Sequence, residues 1–222
     1  IELSPGMAAG GKKQENTTPV FQIPNMADCD FYRPTMHSPD DPFLISYTGT
    51  LGRANRVEFL LAVAEACQQN GLDQVQFVIA GTGAEQAELE QIVRQKQLKN
   101  VTFTGYLTRE QVRDLLNRSA ATYTSFDVVP VLETNSPNKF FDSLAAGKLC
   151  IVNTKGWLQD LVETNRCGFY ANPLEPGVFV QKLLPFLEDH LLLREFQENA
   201  RKLAETEFSR EKLSRDFVAL FE

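Results

Sequence analysis

The segment Val75-Gln76-Phe77-Val78-Ile79-Ala80-Gly81-Thr82-Gly83 decides the fold class. An apolar run that stops at two closely spaced glycines is the pattern of a strand covered on both faces and closed by a tight turn. The same pattern recurs on either side. Residues 43–49 form another apolar strand, and residues 57–69 follow with Val57, Leu60, Leu61, Ala64 and Cys67 at helical offsets. Ala87, Leu89, Ile92 and Val93 mark a second helix, 101–104 a third strand and 110–118 a third helix. The alternation continues with a strand at 120–124, a helix at 137–146, a strand at 149–152, a helix at 158–163 and a short strand at 167–170. Three helical patterns close the chain, at 176–189, 192–207 and 210–221. Strands alternating with helices, and apolar on both faces, predict an α/β fold with a doubly wound, Rossmann-like parallel sheet. Residues 20–23 read as one further short strand. Residues 4–18 and 35–42 lack periodicity and read as loops or linker.

In such a sheet ligands bind outside the carboxyl ends of the strands. The loops that matter are therefore 49–56, 81–85, 105–109, 125–138 and 153–157. With 222 residues, 43% of them hydrophobic and 23% charged, the chain has enough material for a core without metal or disulfide staples. Its net charge of −7 argues against non-specific binding to nucleic acid, which needs a basic excess. No apolar run approaches the roughly 20 residues that span a bilayer. The four cysteines, Cys29, Cys67, Cys150 and Cys167, form no Cys-x-x-Cys pair and match no zinc spacing, so they read as reduced cysteines of a cytosolic protein. The two histidines, His37 and His190, have no matched nucleophile or metal partner and read as surface residues.

The stretch from Glu133 to Asp142, Glu-Thr-Asn-Ser-Pro-Asn-Lys-Phe-Phe-Asp, carries the chemistry. It opens a helix with Ser136 as expected N-cap and Pro137 in the first position. The free N–H groups of such an end favour an anion. Lys139 lies in the first turn, where a cation is unfavourable for an isolated helix, so its presence points to a negative ligand. Asp142 shares a face with Lys139 and is suited to accept the two hydroxyls of a ribose. The plain alternative is a surface ion pair between the two, worth about 0.2–0.5 kcal/mol. Gly49-Thr50-Leu51-Gly52 permits a tight turn and close backbone approach to a phosphate. Gly81-Thr82-Gly83 is neither a Gly-x-Gly-x-x-Gly fingerprint nor a P-loop, so no NAD site and no Walker site is expected.

With these segments in order, the chain resembles the nucleotide-sugar-binding C-terminal domain of retaining GT-B glycosyltransferases of family 4. Residues 23–34, Ile-Pro-Asn-Met-Ala-Asp-Cys-Asp-Phe-Tyr-Arg-Pro, resemble the family's IPNGVDxxxFxP segment. Tyr47-Thr48-Gly49-Thr50-Leu51 resembles YxGRL, and Phe77 to Gly83 resembles LxIxGxGP. Val101 to Tyr106 resembles VxFxGxV, and Asp142 to Gly147 resembles EAMAxG. Ser136-Pro137-Asn138-Lys139 resembles the form found in bacterial surface-polysaccharide transferases. Ser4-Pro5-Gly6 is similar to the end of a preceding acceptor domain. The resemblance thus implies a linker remnant at 1–19, a donor domain at 20–222, and a missing N-terminal half.

The resemblance further implies a nucleotide-sugar donor, UDP rather than GDP, and no metal or other cofactor. The helix start Ser136, Pro137 and Asn138 would meet the diphosphate through backbone N–H groups. Asp142 would hold the ribose, and the backbone near Tyr106 and Leu107 would read the base. The family's first acid would fall at Thr134, next to Glu133. Its phosphate-binding Arg and Lys would fall at Thr50 and Asn55, neither of them cationic. Arg53, Arg56 or Lys139 would then supply the charge, Lys139 foremost. The donor site so implied comprises Gly49, Thr50, Arg53, Tyr106, Leu107, Thr134, Ser136 to Asn138, Lys139 and Asp142. Catalytic residues are expected mainly in the acceptor domain, which would be the partner of this one. A cytoplasmic protein follows, with the full-length form reaching the membrane through lipid-linked acceptors. Two other readings stand beside this one: a non-catalytic doubly wound interaction domain, which Thr50 and Asn55 favour, and a GT-B sugar-nucleotide epimerase.

Overall fold

The computed structural model describes residues 1–5, 21–35, 38 and 41–221. Val20, His37 and most of the expected loop at 4–18 lie outside the described residues. Six strands build one sheet: β1 (Phe43–Thr48), β2 (Val75–Ala80), β3 (Val101–Gly105), β4 (Ala121–Thr124), β5 (Leu149–Val152) and β6 (Gly168–Tyr170). Their order is β3-β2-β1-β4-β5-β6, and every pairing is parallel. The order runs one way from β1 to β3 and the other way from β4 to β6. The reversal between β1 and β4 is where a doubly wound sheet opens a crevice.

The helices are α1 (Glu58–Gln69), α2 (Gln86–Lys96), α3 (Arg109–Arg118), α4 (Asn138–Ala145), α5 (Trp157–Thr164), α6 (Pro176–Glu188), α7 (His190–Glu207) and α8 (Arg210–Val218). They cover the sheet on both faces, which is why its central strands are largely buried, while the edge strand β3 alternates, with Thr102 and Thr104 exposed. One buried cluster joins β1 and β2 to α1 and α6 through Ile45, Phe77, Leu60, Leu61, Phe179 and Leu183. A second joins α4, α5 and α7 through Phe140, Phe141, Leu144, Leu158, Val162, Ala200 and Leu203. Three of the four cysteines are buried and all four are free. Among the described residues no helix is long and apolar enough to cross a membrane.

Four expectations change. Gln22 makes only an isolated bridge with Glu2, so the stretch after Phe21 adds no strand to the sheet. Ser136 does not cap α4: Pro137 occupies the N-cap without a side-chain hydrogen bond. The Ser136 hydroxyl instead accepts from the Asn25 N–H at 3.2 Å, and the Asn25 side chain donates to the Ser136 carbonyl. A short 3-10 helix, Pro130–Thr134, also precedes α4 within what reads as loop. It ends on Asn135, whose carbonyl accepts from the Trp157 indole at 2.8 Å. The helical pattern at 192–207 begins two residues earlier than its apolar period shows, because the Asp189 carboxylate caps the N–H groups of Leu191 and Leu192.

Arg201 on α7 ties the segment around Tyr32 to this frame. Its guanidinium donates to the carbonyls of Tyr32 at 2.7 Å, Ala145 at 2.6 Å and Cys29 at 3.0 Å. Replacing it strands three carbonyls in a poorly solvated place. The Arg201→Met variant is expected to lose about 2 kcal/mol of stability. Urea unfolding would show it as a lower midpoint at unchanged slope.

Candidate functional site

A cleft of about 360 Å³ opens at the carboxyl ends of β1, β2 and β3, beside the reversal of strand order. Its floor is two stacked turns. The Gly49 N–H donates to the Ala80 carbonyl and the Leu51 N–H to the Thr82 carbonyl, both at 2.9 Å. This approach explains the glycines. A Cβ on Gly81 would lie 1.8 Å from the Gly49 carbonyl oxygen, and one on Gly83 would lie 2.1 Å from that of Leu51. Gly81-Thr82-Gly83 is thus shaped by turn-on-turn packing. Gly49 itself has φ +145, and a Cβ there would meet the Lys139 amine at 2.8 Å.

One wall comes from α4. Lys139 and Asp142, three residues apart, both line the cleft. They make no ion pair with each other among the described residues, so the surface-pair reading fails. Lys139 is mostly buried, and its Nζ donates to two neutral oxygens: Tyr47 Oη at 3.1 Å and Asn55 Oδ1 at 3.3 Å. The ring faces of Tyr47 and Phe126 lie 4.2 and 5.4 Å from it. Burial without an anionic partner lowers the amine's pKa to about 7. Asp142 shows the converse. Burial raises its carboxyl to about 6, against the pull of Arg109 and a hydrogen bond from Tyr32, with Asp28 adding to the rise.

The opposite wall comes from the β3–α3 loop and the start of α3. Tyr106 is 75% exposed at the mouth, and Leu107, Arg109 and Val112 line the cleft with it. The Arg109 guanidinium lies 4.0 Å over the Phe31 ring and pairs with Asp28. Asp28 also pairs with Arg210 of α8 at 2.7 Å. Burial works against the Asp28 carboxylate, but Arg109, the Phe31 N–H and Arg210 outweigh it and hold its pKa below the ordinary value.

The cleft therefore brings together Gly49, Thr50, Tyr106, Leu107, Lys139 and Asp142 from the sequence-derived set. Arg53, Thr134, Ser136, Pro137 and Asn138 do not line it. Arg53 is exposed on a 3-10 turn, Arg53–Asn55. Arg56 is committed to Glu58 and to Asp127 at 3.1 Å. The Thr134 hydroxyl donates to the Val131 carbonyl at 2.9 Å, and its own carbonyl accepts from the buried Ser4 hydroxyl. Glu133 does not replace it in the cleft, since after burial it is the charge that most raises the phenol of Tyr170, the last residue of β6.

Sequence reasoning missed Tyr32, Tyr47, Thr82 and Arg109, and it placed Asn55 at a family phosphate-binding position without its contact to Lys139. Arg109 was within reach of the argument that singled out Lys139, because it too is a cation at a helix start. Among the described residues no group of three or more His, Cys, Asp or Glu side chains is placed to hold a metal ion.

The raised Asp142 carboxyl has a consequence for stability. Its unfolded pKa is about 3.9, so the folded state resists ionisation and the wild type loses stability as pH rises from about 4 to 6. An Asp142→Asn variant lacks that loss. Relative to wild type it is expected to gain about 2 kcal/mol between pH 4 and pH 7, measured by urea unfolding at both values.

Residues 29–203 match the family described as Glycosyl transferases group 1. The putative colanic acid biosynthesis glycosyl transferase WcaI of Escherichia coli is 26% identical over 200 residues, covering 89% of this chain and 47% of its own. The crystal structure of TarM superposes with a TM-score of 0.81 at 18% identity, over all of this chain and 43% of its own. Anabaena HepE, in complex with UDP and glucose, superposes with a TM-score of 0.73 at 18% identity, over 90% of this chain and 56% of its own. The chain thus spans about half the length of the proteins it matches.

Proposed function

The chain belongs to the glycosyl transferases group 1 family, and from that premise we propose that it forms the donor half of a glycosyltransferase. The donor is a UDP-sugar, the acceptor a glycan or lipid-linked glycan held by a further domain, and transfer proceeds with retention. The observation that carries this reading is the Lys139 amine: buried, facing no carboxylate, and lining the same cleft as Asp142. A buried amine with only neutral partners is costly in an empty cleft and favourable beside an anion. In this reading Lys139 and the Gly49-Thr50 turn take the diphosphate. Asp142 accepts from the ribose hydroxyls, and Tyr106 and Leu107 border the base.

The chemistry asked of this chain is electrostatic. When the bond from the anomeric carbon to the diphosphate breaks, negative charge grows on the leaving oxygen, and a cation fixed beside it lowers the barrier. The UDP complex of the Anabaena relative supports uridine as the base. The interaction-domain reading rested on Thr50 and Asn55 in place of cations. The Lys139 amine 3.3 Å from Asn55 Oδ1 weighs against it, because α4 brings a charge to that point.

Calorimetric titration of the chain with UDP, UDP-glucose and GDP tests the proposal. Saturable binding of one equivalent of the uridine nucleotides, tighter than GDP, is the expected result. A folded chain that takes up none of them would end it.

A further inference from the structure

The cleft's cation is aimed by a residue that does not itself line the cleft. Tyr47, the penultimate residue of β1, is fully buried, and its hydroxyl sits between two parts of the site. It donates to the Thr50 carbonyl at 2.9 Å and accepts from Lys139 Nζ at 3.1 Å. The face of its ring lies 4.2 Å from the same nitrogen. Burial pushes the phenol up, so it remains protonated and keeps its donor. The chain of bonds from amine to phenol to turn carbonyl has one polarity, and each bond strengthens the next.

The position does not need a hydroxyl for packing. The neighbouring inward residues of the sheet, Ile45 and Ile79, are aliphatic and fully buried, and a phenylalanine would fill the same hole. A buried phenol needs polar partners, and both partners found here belong to the cleft. The other groups around the amine are Asn55 from the 3-10 turn and the Phe126 ring beyond β4, both neutral. The charged side chains of the cleft are Asp142 on the same helix and Arg109 across it.

We propose that Tyr47 is the positioning residue of this site: its hydroxyl locks the Lys139 amine to the Gly49-Thr50 turn, so that turn and amine meet one anionic group together. The inference rests on the donor-site reading for the identity of that group, but not for the lock itself.

The test is the Tyr47→Phe variant, which keeps the ring and removes only the lock. Two readouts are taken. The first is the titration midpoint of the Lys139 amine, followed by NMR of its ε-carbon in the ligand-free chain. A hydroxyl oxygen that accepts from the ammonium favours the charged form, so its loss lowers the midpoint, by about half a pH unit or more. The second is UDP affinity from pH 6 to 9. The variant is expected to bind about tenfold more weakly at pH 7, with its fall in affinity displaced to lower pH. An unchanged lysine midpoint overturns the proposal, even if the variant is less stable, because a merely structural tyrosine would leave that midpoint alone. A shifted midpoint in a chain that binds no UDP would uphold the lock and sink the donor-site reading instead.

Discussion

Replacing Lys139 by methionine is expected to abolish UDP binding and, in the same protein, to raise stability at neutral pH. The two effects have one cause. The amine is enclosed by Tyr47, Asn55 and Phe126 and faces no carboxylate. Without ligand it keeps part of its desolvation cost, and methionine of similar length removes that cost. With ligand, the variant loses a charge-assisted contact to a diphosphate in a poorly solvated place, so affinity should fall by about 100-fold or more. The pH dependence follows from the direction of the shift. The folded pKa is about 7, against an unfolded value of about 10.4. The folded wild type binds fewer protons across that window and gains stability as pH rises through it. The advantage of Lys139→Met, about 2–4 kcal/mol, is therefore greatest at and below pH 7 and vanishes near pH 10. Urea unfolding at pH 7 and pH 10, with calorimetry at pH 7, measures both effects. A variant that loses binding and stability together would mean that the amine holds the fold.

Gly81→Ala is expected to damage the fold itself. Its Cβ would stand 1.8 Å from the Gly49 carbonyl oxygen and 2.9 Å from the Gly49 carbonyl carbon, both backbone atoms with no freedom to rotate away. At φ +143 the backbone also disfavours a side chain. Relief requires parting the two turns, which breaks the bond from the Gly49 N–H to the Ala80 carbonyl and opens the cleft floor. A loss of about 4 kcal/mol or more is expected, seen as a collapsed thermal midpoint or as insoluble protein. Gly52→Ala is the control. Its Cβ would meet only the Thr50 methyl at 3.6 Å, and the change should stay within about 0.5 kcal/mol.

The strands of the sheet and the helices were readable because each signal is local. Val75 to Ala80 is apolar but for Gln76 whatever it packs against, and the 57–69 pattern keeps its helical offsets. The alternation of the two indicated a parallel, doubly wound sheet, while the strand order β3-β2-β1-β4-β5-β6 came from the structure. Asp142 and Lys139 were readable because two charged residues three apart on one helix must share a face. What stayed hidden depends on contacts distant in sequence. Tyr47 reads as one more apolar strand residue until Lys139, 92 positions later, is seen against its hydroxyl. Ser136 has the chemistry of an N-cap, but Asn25 engages it first, 111 positions away. Thr134 was assigned by position in a motif and Arg53 as a substitute for the cations missing at Thr50 and Asn55, and their loops turn them elsewhere: Arg53 to solvent, Thr134 to Val131 and Ser4.

The fold also shows where stability has been set against a site. Asp142 is held near pH 6 and Lys139 near pH 7, on one wall of one cleft, each by burial that it would escape if the chain unfolded. Apolar residues at either position would make a more stable domain. Two displaced titrations on one wall of a cleft mark it as a candidate functional site.

The most direct test is an amide correlation NMR spectrum of the chain titrated with UDP. The account predicts saturable shifts concentrated at Gly49 to Leu51, Thr82, Tyr106, Leu107, Lys139 and Asp142, lost in Lys139→Met. Saturable shifts centred elsewhere, with these residues unmoved, would contradict it.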